Sequence, residues 1–309
     1  MAADERSASV SDDRGGSDGL AVRAHGVAKG FDEGTVIEDI DLNARSGEIT
    51  LLMGANGVGK TVFLSCVAAG LAPDAGEVSV FGRDPADARE NLSFMLQDGM
   101  LVDELSGREN VAFFRDLHPR STDRWRELLE DLAFDTDALD REVGDYSGGM
   151  KRKLELAISL SVDVPLYLLD EPTAALDMTT VDRLHSLLDE RREAGDAVVM
   201  TSHLPVDAQL ADRIAFVRAD GVVASGEPAA LLEGVPPVAR VEGLRDGFDE
   251  LVREGRLFET GSERRGFLRA DVDPDAVEER VDRAGTSVRV TDPTVTDLFN
   301  YYVHVVDGP

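Results

Sequence analysis

Gly54-Ala55-Asn56-Gly57-Val58-Gly59-Lys60-Thr61 has the form G-x-x-x-x-G-K-[ST], and its flanks decide the fold. The apolar run Ile49–Met53 before it reads as a buried strand, and residues 62–69 after it read as a helix. Strand, loop and helix in that order are the setting in which this motif cradles phosphate. Its glycines let backbone N–H groups turn inward around phosphate oxygens, and the helix N-terminus adds positive partial charge at the same point. Lys60 is placed to reach β- and γ-phosphates, and the Thr61 hydroxyl to reach Mg²⁺. An ordinary glycine-rich turn is the alternative, but it gives no packing reason for Lys-Thr at a helix start.

A second anchor lies downstream. Leu166-Tyr167-Leu168-Leu169-Asp170-Glu171 is a short apolar strand ending in two adjacent carboxylates. Beside a phosphate loop, Asp170 can hold Mg²⁺, usually through water. Glu171 points elsewhere and can polarise an attacking water.

Composition bounds the rest. The chain has 309 residues, enough for a full domain plus an appendage. No run approaches the ~18 apolar residues of a membrane span, and no basic-then-apolar leader opens the chain. Residues 1–18 are rich in Ser, Asp and Gly and are expected to be disordered. The single cysteine, Cys66, forms no internal disulfide and reads as a small core residue.

The net charge is −29. Residues 234–309 carry 16 acids against 10 Lys/Arg, so the remainder holds −23 and the acidity is spread over both parts. Only Lys29, Lys60, Lys151 and Lys153 are lysines. Such a surface resembles proteins of salt-loving organisms, in which salt screens self-repulsion; a basic partner is the alternative. Direct nucleic-acid binding is disfavoured. On the first reading, the thermal midpoint should rise from low to molar KCl, and identical melts would contradict it.

Along the chain, residues 20–24, 36–42, 78–82 and 92–96 read as strands, and residues 106–161 turn helical. Trp125, Leu128, Leu129 and Leu132 share one helix face. Val181, Leu184, Leu187 and Leu188 line another helix, before a strand at 197–201. This alternation predicts a mostly parallel sheet flanked by helices. Pro236-Pro237 marks a boundary. Beyond it, strands are expected at 238–242, 256–259, 264–270 and 287–291, and helices at 246–254, 274–284 and 294–304. That β-α-β-β-α-β order predicts a small ferredoxin-like unit.

Between the two anchors stands Tyr146-Ser147-Gly148-Gly149-Met150, ahead of a helix. It is a further anion-binding helix start with Ser147 as hydroxyl donor, and it resembles the signature motif of ATP-binding-cassette (ABC) ATPases. Other pieces fall into that family's order. Phe31 resembles the aromatic residue that stacks on adenine. Gln97 resembles the glutamine that contacts Mg²⁺ and senses the membrane partner. Ala175-Leu176-Asp177 resembles the loop that crosses the dimer interface, and His203 the switch histidine on the γ-phosphate. The resemblance covers about residues 20–232 and is highly specific. It implies an α/β P-loop NTPase cassette over 19–233, with a mostly parallel core sheet, an antiparallel β subdomain and a helical subdomain near 98–162. A small α/β accessory domain is expected over 234–309.

The resemblance further implies ATP and Mg²⁺ as ligands. The ATP contacts would be Phe31, residues 54–61, Val62, Gln97, Ser147, Gly148, Gly149 and Asp177. The metal side would be Thr61, Gln97 and Asp170, and the catalytic residues Glu171 and His203. Two subunits, alike or different, would face head to tail on the inner side of a membrane and drive a separate permease. The helix start at 147–157 and the tail Asp292-Pro293-Thr294-Val295-Thr296-Asp297-Leu298-Phe299 resemble export-type ATPases of the ABC-2 group, such as drug-resistance pumps. Val62 departs from the second hydroxyl residue often found there, and Leu204-Pro205-Val206-Asp207 from the usual acidic stretch. Lys151-Arg152-Lys153 reads either as a solvated helix face or as a local offset to ATP's charge.

Two other classes compete with a transport ATPase. A soluble ABC ATPase of cluster assembly, repair or translation would leave the 234–309 tail unexplained, or would need a long insertion or a second cassette. Only 48 residues separate Gln97 from Tyr146. A nucleotide-gated module without turnover is opposed by Glu171 and His203.

Overall fold

In the computed structural model, which describes residues 19–32, 34–242, 248, 250–253, 257–260, 263–274, 277 and 288–305, the chain opens with a long antiparallel pair. Residues 1–18, expected to be disordered, lie outside that set. Strands β1 (Leu20–Phe31) and β2 (Gly34–Arg45) run longer than the sequence pattern predicts, because register shifts along β1 break its alternation. After β3 (Ile49–Met53) and helix α1 (Lys60–Val67), β4 (Ala75–Val80) joins β1 to complete a three-stranded sheet in the order β2-β1-β4.

β5 (Leu92–Met95) precedes a helical excursion. The excursion holds α2 (Gly107–Leu117), α3 (Trp125–Asp131) and α4 (Gly148–Leu160). A capping box of Ser106 and Glu109 starts α2. The predicted stripe Trp125, Leu128, Leu129 and Leu132 is buried. The chain then alternates: β6 (Leu166–Leu169), α5 (Met178–Glu193), β7 (Ala197–Ser202), β8 (Arg213–Arg218), β9 (Gly221–Gly226) and α6 (Pro228–Glu233). The main sheet runs β5-β6-β7-β3-β8-β9, parallel except for β9.

Strands β3, β6 and β7 are buried along their whole length, as a parallel sheet covered on both faces requires. Their period-2 alternation divides the core. Leu51, Tyr167, Leu169, Val198, Met200 and Phe216 face the side packed by α3, α4 and α5. Leu52, Leu168, Val199 and Val217 face the side closed by α1 and the three-stranded sheet. Cys66 is buried on α1, and burial pushes its thiol pKa up.

The C-terminal segment supplies β10 (Val238–Glu242), β11 (Phe258–Thr260), β12 (Glu263–Phe267), β13 (Val288–Thr291) and α7 (Val295–His304). Its sheet is antiparallel in the order β11-β12-β10-β13, so β12 splits the pair that precedes it, as the ferredoxin-like expectation requires. The helix expected at 246–254 lies partly outside the described residues; where described, Leu251 N donates to Phe248 O at 3.0 Å in a helical turn, and Val252 also bridges Leu268. The helix expected at 274–284 lies almost wholly outside them. One sheet face has its own small core around Ala239, Val241 and Leu268. The other, through Val238 and Phe267, joins the main core with α7. There Tyr302 stacks on Phe216 of β8, centroids 4.9 Å apart, and its hydroxyl donates to Leu231 O at 3.2 Å.

Candidate active site

Parallel strands in register deliver their C-terminal ends to one edge. Met53 pairs with Ser202, Met200 with Leu169, and Leu169 with Met95. The residues that follow each strand therefore emerge together: Gly54 after β3, His203 after β7, Asp170 after β6 and Gln97 just beyond β5. This is the edge at which open α/β sheets bind ligands.

Two glycines of the loop are fixed by space. A Cβ on Gly54 would stand 2.4 Å from Val217 O. Gly59 has φ +93°, and a Cβ there would stand 2.1 Å from Ile37 Cγ2. Lys60 follows at the first turn of α1, 5% exposed, and donates to Gly54 O at 3.0 Å and Ala55 O at 3.1 Å. Burial lowers its pKa, while the charges of Glu171 and Asp170 oppose that shift. The ammonium thus spans the loop that precedes it.

Thr61 Oγ1 donates to Gln97 Oε1 at 3.3 Å, and Gln97 Nε2 donates to Glu171 Oε2 at 3.3 Å. Glu171 has φ +49°, a left-handed conformation rare for a residue of its kind. Its backbone N–H donates to Thr201 Oγ1 at 2.9 Å, and the same hydroxyl donates to Asp170 Oδ1 at 2.5 Å. Asp170 is fully buried, and its Oδ2 has no hydrogen-bond partner among the described residues. His203 Nδ1 lies 3.4 Å from Glu171 Oε1, close but without a hydrogen bond. A cleft of about 260 Å³ is lined by Val36, Asn56, Gly57, Gly59, Lys60, Thr61, Val62, Gln97 and Glu171. Phe31, 51% exposed, ends the strand whose hairpin partner supplies Val36.

The remaining expected residues form a second cluster. Ser147 caps α4, its Oγ accepting from Met150 N at 3.3 Å. Gly149 lies so close to the following loop that a Cβ would stand 3.0 Å from Ala175 O. Asp177 caps α5, with Thr180 N donating at 2.9 Å, and this holds its carboxyl below the ordinary value. Neither Ser147, Gly148, Gly149 nor Asp177 lines the cleft.

Two groups escape the sequence pattern. Thr201 clamps the Asp170-Glu171 corner from a neighbouring strand. Asp207 is fully buried and accepts from Ser202 Oγ at 2.5 Å and Thr173 Oγ1 at 2.7 Å, with His185 Nε2 at 2.9 Å. Pro205 opens only a short 3₁₀ turn, Pro205–Gln209, that carries Asp207 inward. The signal available in the sequence was an acid inside an otherwise apolar stretch after His203. Thr201→Val keeps the shape but leaves Glu171 N and Asp170 Oδ1 unpaired; it should cost about 1–3 kcal/mol in urea unfolding. An unchanged unfolding free energy would refute the clamp.

The basic run is not a free field. Lys151 pairs with Asp103 at 2.6 Å, Lys153 donates to Ala133 O at 3.2 Å, and Arg152 is buried. Among the described residues, no helix is long and apolar enough to cross a membrane.

Comparison with known proteins agrees with this geometry. Residues 37–174 match the family model described as ABC transporter. The chain is 31% identical over 271 residues to the daunorubicin/doxorubicin resistance ATP-binding protein DrrA of Streptomyces peucetius, covering 85% of this chain and 81% of that one. It is 33% identical over 243 residues to the autoinducer 2 import ATP-binding protein LsrA of Enterobacter sp. (strain 638), covering 74% of this chain. The chain spans 48% of that relative's length and 30% of another's. The dimeric structure of MJ0796, a bacterial ABC transporter cassette, superposes with a TM-score of 0.61 at 24% identity, over 67% of this chain and 98% of that one. The chain belongs to the ABC transporter family, and it is similar to an ATP-binding protein of daunorubicin/doxorubicin resistance.

Proposed function

We propose that the chain is the ATP-binding and hydrolysing subunit of an exporter, acting from the cytoplasmic face of a membrane on a separate permease. The observation that carries this reading is the separation of two phosphate cradles. Lys60 and its loop share a cleft with Gln97 and Glu171, while the Ser147 end of α4 stands outside it. One ATP needs only the first cradle, so the second serves ATP held by another copy. The dimeric structure of the bacterial cassette MJ0796 supports the same arrangement. Export is favoured because the drug-resistance relative is matched over most of its length, and the import relative over less than half.

In this reading Lys60 leaves Gly54 O and Ala55 O for the β- and γ-phosphates, and Phe31 stacks on the base. Asp170 Oδ2, Thr61 Oγ1 and Gln97 Oε1 are hard oxygen donors, and the unpaired buried Oδ2 fits a cation. Asp170, Thr61 and Gln97 would hold Mg²⁺, which when bound neutralises charge on the phosphate oxygens. Glu171 accepts a proton from the attacking water, and His203 beside it contacts the γ-phosphate. Loss of that phosphate removes contacts that bridge the two copies, and the halves part.

Glu171→Gln chains should form an ATP-dependent dimer visible by light scattering. Adding Gly149→Asp should abolish it, since a carboxylate would face the partner's γ-phosphate. A dimer fully formed in the double variant would refute the shared site.

A further inference from the structure

The middle residue of the basic run lies inside the molecule. Arg152 is 7% exposed, and Glu155, one turn on along α4, is 4% exposed. Arg152 Nη1 stands 3.2 Å from Glu155 Oε2. The same guanidinium donates to Leu96 O at 3.2 Å and to Gln97 O at 2.9 Å. Glu155 Oε1 accepts from Met100 N at 3.1 Å. Between these contacts Gly99 has φ +86°, and a Cβ there would stand 2.9 Å from Glu155 Oε1. The loop therefore closes on the carboxylate with no room for a side chain.

A buried ion pair is a poor stabiliser, because removing both charges from water offsets their attraction. Apolar side chains would fill the same space as well. What they cannot do is hold backbone atoms of an irregular loop on both sides of one residue. That residue is Gln97, whose side chain joins Thr61 to Glu171. The planar guanidinium fork reaches two carbonyls and a carboxylate at once, which a lysine ammonium on a flexible stem does not.

We propose that the Arg152–Glu155 pair is a positioning strut that fastens the Gln97 loop to α4, so that Gln97 and the Ser147 end of that helix shift as one body. The inference rests on the reading of Gln97 as a residue on the metal side of the cleft, and of Ser147 as facing a partner's ATP. Under it, nucleotide at one composite site sets the position of Gln97 at the other. The strut lies outside the Lys60 loop and leaves phosphate binding itself untouched.

The test uses the full chain with ATP, titrated with and without Mg²⁺ by calorimetry. Arg152→Lys, and separately the double change Arg152→Met with Glu155→Met, should bind ATP in EDTA as the unmodified chain does. Both should weaken Mg²⁺ binding to the ATP-loaded chain by about tenfold, the lower range for residues that support a metal ligand. Amide exchange over residues 96–101 should speed up in both. Gln97→Ala should weaken Mg²⁺ binding by a similar factor, and adding Arg152→Lys to it should cost nothing more. Should the double Met variant fail to fold, Arg152→Lys decides, since it keeps charge and stem. Unaltered Mg²⁺ binding in Arg152→Lys, with a loss in Gln97→Ala, overturns the strut alone. An unaltered Gln97→Ala overturns the reading of Gln97 and the strut with it. Additive losses show two independent effects and also overturn the proposal.

Discussion

Glu171→Gln is expected to lower ATP turnover by about 10²–10⁴-fold while leaving ATP binding nearly unchanged. The side chain keeps its shape, and the backbone N–H keeps its bond to Thr201 Oγ1. What is lost is a basic oxygen. Oε1 lies 3.4 Å from His203 Nδ1, and Oε2 accepts from Gln97 Nε2, so the carboxylate is held from two sides beside the cleft. The strained φ of +49° aims it there, and only a well-braced corner keeps a non-glycine residue in that conformation. Single-turnover kinetics beside an equilibrium titration separate the two effects. Turnover within tenfold of the unmodified chain would remove Glu171 from the role of base.

Lys60→Ala should act on the other half of that pair of measurements. Its ammonium is the cation that the phosphate loop presents, and Asp170 and Glu171 are the charges that act on it. Removing it takes away a buried charged donor that, on the proposed reading, turns to phosphate oxygens. Losses of about 10²–10³-fold accompany the removal of one such donor from an oxyanion site. On the proposed reading the loss should fall on ATP affinity, because the lysine would contact phosphate in the ground state as well. It also strips Gly54 O and Ala55 O of their donor, so the empty loop should exchange its amides faster. Unchanged affinity in a titration with ATP would refute the assignment.

The core of the site was legible because its information is local. A buried strand, a glycine-rich loop and a helix start specify one another, and the strand falls where the pattern puts it while the helix starts two residues earlier, at Lys60. The strand before Asp170 and the helix stripes were legible for the same reason. Thr201 and Asp207 were not. Their partners lie on other elements: Thr201 acts on residues about thirty positions earlier, just beyond β6, and Asp207 on Thr173 of the loop that follows and His185 of α5. Spacing in one chain carries no trace of such long-range bonds. Arg152 was hidden by its neighbours, since three consecutive cations on a helix look like one surface when the middle one turns inward.

The stacking of Tyr302 on Phe216 has a consequence for the order in which the chain is made. The six-stranded sheet is complete at Gly226, but the helix that covers Phe216 begins only at Val295. A nascent chain leaving the ribosome therefore carries a finished sheet on which the apolar surface around Phe216 stays uncovered until α7 has been made. Leu298, Tyr301 and Val305 then seal it from the far end. Chains cut short by a premature stop, or still being translated, would display that face to chaperones and proteases, and to each other. Closure of the core around Phe216 therefore waits for a helix made about seventy residues after the sheet it covers.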